Sequence, residues 1–175
     1  MLKKIYNNKP LIGLIVFSII VSFLNPRFLS VNNILNVLRQ TSINSVIAIG
    51  MTLVILTGGI DLSVGSILAL TGAFGASLIA NGVNPVLAIV IAIVIGGLFG
   101  IFNGLLISYA KLQPFIVTLV TMTLLRGATL VFTDGKPIPV RDGGDFFDNI
   151  GGGYFFDIPI PIYIMIALFI AGYYI

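Results

Sequence analysis

Thr57-Gly58-Gly59-Ile60-Asp61-Leu62-Ser63-Val64-Gly65-Ser66 separates two apolar runs. Adjacent glycines close the first run, an acid and a serine follow, and the second run begins almost at once. If the runs are membrane spans, this junction decides how the chain folds. A carboxylate at such a place is costly, and irregular backbone at membrane depth needs protein or water around it. Two readings stand. One is a short loop at the membrane surface, with Asp61 or Ser63 capping the next helix. The other is a broken helix beside a translocation path. On the second reading Gly58, Gly59, Asp61, Ser63 and Gly65 are candidate path or gate residues.

The composition favours the membrane. Of 175 residues, 58% are hydrophobic and 9% are charged, against about 25% charged in an average soluble domain. So few charges could not cover a soluble protein of this size. The charges are nine Lys or Arg and six Asp, and the chain has no Glu, His, Cys or Trp. Without His there is no Ser-His-Asp triad and no imidazole metal site. Without Cys there is no thiolate nucleophile or iron–sulfur cluster. No catalytic residue, resident cofactor or metal is expected, and no nucleic-acid partner.

The charges also mark the spans. Lys3, Lys4, Lys9, Arg27 and Arg39 lie in the first 39 residues, and seven more lie between 134 and 157. Between residues 40 and 133 only Asp61, Lys111 and Arg126 are charged. At about 1.5 Å rise per residue, a hydrocarbon core of about 30 Å takes roughly 20 apolar residues. An all-α polytopic bundle of about six spans follows: 11–24, 43–56, 66–80, 85–110, 115–132 and 158–175. Residues 1–10 form an N-terminal segment, 11–132 the bundle, and 133–157 an external loop. The first span resembles a signal-peptide h-region, but Asn25-Pro26-Arg27-Phe28 is a poor cleavage site, so it reads as retained. An inside N-terminus leaves Lys3, Lys4, Lys9 and Lys111 in the cytoplasm and Arg27, Arg39, Lys136 and Arg141 outside. The positive-inside count is then even. The three Lys at the start of the first span favour the N-terminus inside.

Between the first two spans, Val31, Ile34, Leu35 and Leu38 repeat at helical spacing behind Ser30, a candidate cap. Asn32, Asn33, Asn36, Arg39 and Gln40 fall on the other face. This reads as an interfacial helix or as the wet first turns of a long second span. Ala92, Gly96, Gly100 and Gly104, four apart in the fourth span, make a small-residue stripe for close helix packing. Asn103 reads as an interhelical hydrogen bonder, or as a path-lining residue. Arg126 lies well inside the fifth span; it either snorkels outward, or lines a path or pairs with a carboxylate such as Asp61. The acidic 133–157 loop reads as a solvated loop or as a docking surface through Asp134, Lys136, Arg141 and Asp142.

Gly58-Gly-Ile-Asp-Leu-Ser-Val-Gly-Ser66, preceded by Gly50-Met-Thr-Leu-Val-Ile-Leu-Thr57, closely resembles the permeases of ribose-type bacterial ATP-binding cassette sugar importers. The match continues through Leu68-Ala-Leu-Thr-Gly72, Gln113-Pro-Phe-Ile-Val-Thr-Leu119, Leu125-Arg-Gly127 and Thr133-Asp-Gly-Lys-Pro137. Asn32-Asn-Ile-Leu-Asn36 and Arg39-Gln-Thr-Ser42 fit as well. The resemblance implies a multi-pass subunit of the bacterial inner membrane, working as a dimer with a second copy. It also implies a cytoplasmic ATPase and an extracytoplasmic sugar-binding protein as partners. ATP hydrolysis would lie on the ATPase, because this chain has no G-x-x-x-x-G-K-[ST]. Family members are about twice this length, so the chain is expected to be their N-terminal half, truncated within the sixth span. The alternatives are half of a secondary transporter or channel, a class also built from broken helices, and a non-transporting fragment.

Overall fold

The computed structural model describes residues 9–140 and 145–174. It is helical in the way the apolar runs require. The helices are α1 (Lys9–Leu24), α2 (Val31–Leu56), α3 (Val64–Ala80), α4 (Pro85–Ser108) and α5 (Pro114–Thr133), then a short α6 (Asp145–Gly152). A hairpin of β1 (Tyr154–Phe155) and β2 (Ile158–Pro159) leads into α7 (Ile160–Tyr173). By length and apolarity α2, α4 and α5 are long enough to cross a membrane; α1, α3 and α7 are shorter apolar helices.

Local chemistry sets the boundaries. Pro85 opens α4, where its missing N–H is harmless, and Asn84 Oδ1 accepts from the Val86 N–H at 2.9 Å. Pro114 opens α5 in the same way. At α2, Ser30 is the N-cap and its hydroxyl accepts from the Asn33 N–H at 3.3 Å. The helix then runs unbroken to Leu56. The polar-faced segment is therefore the first turns of a long helix, the second of the two readings. The 133–157 region is not simply a loop. It contains α6 and the first strand and turn of the hairpin, whose register pairs Tyr154 with Pro159 and Phe155 with Ile158.

Helices α3, α4 and α5 pack against one another, and α7 packs along α2. A Cβ added at Gly75 of α3 would lie 3.6 Å from the Ala92 Cβ of α4. One added at Gly96 would lie 3.6 Å from Ile67 Cγ2. Small residues thus bring these two helices close, as packing in lipid requires. The phenyl rings of Phe74 and Phe132 meet at 5.7 Å between α3 and α5. The interior is more polar than that of a soluble domain. Ser42, Ser63, Ser66, Thr71, Asn103, Thr118 and Thr121 are buried, while large apolar side chains such as Phe17, Ile93 and Leu124 face outward. That inversion belongs to a multi-pass membrane protein.

Candidate functional site

The glycine pair ends α2 by geometry. Gly58 has φ +76, a conformation only glycine adopts without a Cβ penalty. Its N–H donates to the Ile55 carbonyl at 2.9 Å, and the Gly59 N–H donates to the Val54 carbonyl at 3.0 Å. These two bonds are the Schellman pattern. A Cβ at Gly59 would lie 3.2 Å from Val54 Cγ1. The chain turns sharply here and reaches α3 within a few residues.

Neither capping expectation holds as stated. Ser63 is the N-cap of α3, but its hydroxyl makes no cap bond. Asp61 Oδ1 accepts from the Ser63 N–H at 2.7 Å and from the Ser63 hydroxyl at 2.6 Å. The serine oxygen in turn accepts from Asn103 Nδ2 at 3.1 Å, and Asn103 Oδ1 accepts from the Thr121 hydroxyl at 2.7 Å. A four-residue relay therefore ties the link to α4 and α5. Alongside it, the Thr118 hydroxyl, which donates to its own i−4 carbonyl at Pro114 at 2.8 Å, also lies 3.2 Å from the Ile60 carbonyl. Ser63, Asn103, Thr118 and Thr121 are all buried.

The link is recessed. Asn103 lies five residues before the end of α4 at Ser108, which is about 7.5 Å of helical rise. The link therefore meets α4 more than one turn short of that helix's end. Beside it lies a cavity of ≈ 320 Å³ lined by Thr57, Gly58, Gly59, Asp61, Asn103 and Ser108, among others. Gly100 and Gly104 also line it, and a Cβ on either would meet nothing within 4 Å. The packing stripe of α4 is corrected accordingly. Ala92 and Gly96 pack on α3, whereas Gly100 and Gly104 border the cavity shared by the link and the start of α5.

Gly65 lines a different cavity, of ≈ 430 Å³, with Leu62, Ser66 and Arg126. Asp61 and Arg126 line different cavities. Arg126 is eight residues beyond Thr118, about 12 Å along α5. The hydrogen bonds that Asp61 accepts come from Ser63. Asp134 is exposed at the end of α5 in left-handed backbone (φ 50), with Lys136 exposed two residues on. Arg141 and Asp142 lie outside the described residues, as do Lys3 and Lys4.

The sequence reading missed Thr118 and Thr121. Their signal was a stripe: Thr118, Thr121 and Leu125 occupy one face of α5, and all three are buried. In an apolar helix, hydroxyls at that spacing on the packed face mark a partner across the interface.

Residues 33–175 match the family described as branched-chain amino acid transport system / permease component. The chain is 54% identical over 166 residues to the ribose import permease protein RbsC of Haemophilus influenzae, covering 94% of this chain and 51% of that protein. It is 55% identical over 161 residues to the protein of the same name in Bacillus subtilis, covering 92% and 50%. The Escherichia coli protein of that name is 46% identical over 168 residues, covering 95% and 52%. The chain thus spans about half the length of the curated relatives it matches. No solved structure matches it.

Proposed function

The chain belongs to the branched-chain amino acid transport system / permease component family, and from that premise we propose that it forms part of the permease subunit of an ATP-binding cassette importer for a small sugar, ribose or a related monosaccharide. The carrying observation is its identity to three proteins named ribose import permeases over more than nine-tenths of its length. The partners on this reading are a cytoplasmic ATPase, an extracytoplasmic sugar-binding protein that docks on the side of Asp134 and Lys136, and a second permease copy. Sugar crosses by alternating access, and hydrolysis is left to the ATPase chain.

Within that scheme the recessed link is a gate element. Gly58 and Gly59 supply the turn, and Asp61 holds Ser63. Asn103 and Thr121 transmit the position of the link to α4 and α5. A movement of either helix would then carry the link with it and change the cavity beside Asp61. A chimera tests the function: this chain replaces the matched segment of the Bacillus subtilis relative. Reconstituted with that relative's ATPase and binding protein, it is expected to take up ribose only with ATP and binding protein present. A membrane-inserted chimera that moves ribose without ATP, or moves none, would contradict the proposal.

A further inference from the structure

The hairpin before α7 has an unusual tip. With Phe155 paired to Ile158, its loop is the two residues Phe156 and Asp157. Both have positive φ, 47° and 61°, as the tightest hairpin turns require, and such turns normally take Asn-Gly or Asp-Gly. A bulky aromatic in left-handed backbone is an outlier, and strain of this kind points from geometry toward function. The conformation holds Phe156 outward, 83% exposed.

The hairpin is rigidly placed. The Tyr163 hydroxyl, one turn into α7, donates to the Phe155 carbonyl at 3.0 Å. Phe156, Phe155 and Tyr163 form a run of edge-on contacts, with ring centres 4.6 Å and 5.8 Å apart. The Ile160 N–H donates to the Gly153 carbonyl at 3.0 Å, and a Cβ at Gly153 would collide with the Asn149 carbonyl. The tip is therefore fixed to the first turn of α7.

Its level can be read from α2. A Cβ at Gly172, near the far end of α7, would lie 3.1 Å from Ile49 Cγ2, and β2 also packs on α2. The two helices therefore run in the same direction. Counting back twelve residues, about 18 Å of rise, puts Ile160, where the hairpin joins α7, near Val37. Val37 lies among Asn36, Arg39 and Gln40, one to two turns before the apolar run that begins at Ile43. The hairpin therefore lies on the headgroup side of that run, in the interfacial zone where amphipathic aromatic side chains concentrate.

We propose that the hairpin tip is a lipid anchor, with the Phe156 ring inserted at the headgroup–acyl boundary and Asp157 beside it in the headgroup water. The anchor fixes the depth of α7, whichever solute the permease carries. Because the chain has no Trp, Phe156→Trp gives a single fluorophore. Phe17→Trp, on the exposed face of α1, serves as a control for insertion. In vesicles where the Phe17→Trp control is quenched by lipid brominated deep in the acyl chain, Phe156→Trp should lose most of its emission to lipid brominated near the headgroup and little to aqueous iodide. Strong iodide quenching without bromolipid quenching would overturn the anchor in favour of an aqueous tip open to a protein partner. Quenching by neither would overturn it in favour of burial against protein. Phe156→Tyr, which keeps the ring and adds a hydroxyl suited to the interface, should fractionate with membranes as the parent does. Phe156→Asp should be released from the interface: a cysteine placed at Asp157 would then react faster with a water-soluble thiol reagent. An unchanged rate would also overturn the proposal.

Discussion

Asp61 accepts both of its hydrogen bonds from Ser63, and this fixes every donor behind it. The Ser63 hydroxyl has one proton and donates it to the Asp61 carboxyl oxygen, so it can only accept from Asn103. The Asn103 amide N–H₂ must face Ser63, its oxygen must face Thr121, and Thr121 must donate. One carboxyl group thus sets the polarity of a chain across three segments, and aligned bonds of this kind strengthen one another. Thr121→Val removes only the last donor and is expected to cost about 0.6 kcal/mol, typical of an interhelical bond in a membrane. Ser63→Ala deprives both Asp61 and the Asn103 amide and is expected to cost about 1–3 kcal/mol. Unfolding in detergent micelles measures both, and equal costs would contradict the directed relay. Asp61→Asn keeps an acceptor oxygen for Ser63, so it should hold the fold better than Asp61→Ala. Asp61 and Ser63 were legible because a carboxylate between apolar runs demands a partner. Thr118 and Thr121 were harder to see, because threonine in a membrane helix ordinarily bonds its own i−4 carbonyl, as Thr71, Thr129 and Thr118 itself do here, and only their shared buried face hinted at a partner on another element.

The elements divide by how local their causes are. The Schellman turn at Gly58 needs only two glycines after an apolar run, and the sequence displays it. Gly58→Ala forces a Cβ into left-handed backbone and should cost about 1–2 kcal/mol in the same unfolding assay. Gly100→Ala meets nothing within 4 Å and should change stability by less than about 0.5 kcal/mol. A large loss there would restore Gly100 to a packed interface. The four-residue spacing of Ala92, Gly96, Gly100 and Gly104 shows that one face is small. It does not show what that face meets, because the partner belongs to another element. The same limit hid the hairpin: two-residue strands leave almost no periodic trace, and Phe156-Asp157 lacks the residues that normally announce such a turn. In α2 the apolar and polar-faced halves run together because no proline or glycine pair separates them.

At the scale of the whole molecule, the surface is 12777 Å² for 18.7 kDa. A soluble monomer of that mass would expose roughly 8,300 Å². Many large apolar side chains of the helices are exposed, with polar groups turned inward at the relay and between α3, α4 and α5. This arrangement suits a bundle that meets lipid and further protein outside and moves solute past polar groups within. Docking of a binding protein at the end of α5 should be electrostatic in part. Lys136→Glu is then expected to slow association at low salt, with the difference fading at high salt; a salt-independent rate would argue against docking there. The central claim is that the cavity beside the recessed link opens and closes with the transport cycle. The chain has no Cys, so Thr57→Cys, on the cavity wall, gives a single thiol in the chimera after replacement of any cysteines elsewhere in it. Its labelling rate by a membrane-impermeant thiol reagent is measured with the ATPase and binding protein present. The account predicts that the rate differs severalfold between the nucleotide-free and ATP-trapped states. An identical rate in both states, in a chimera that still takes up ribose, would contradict it.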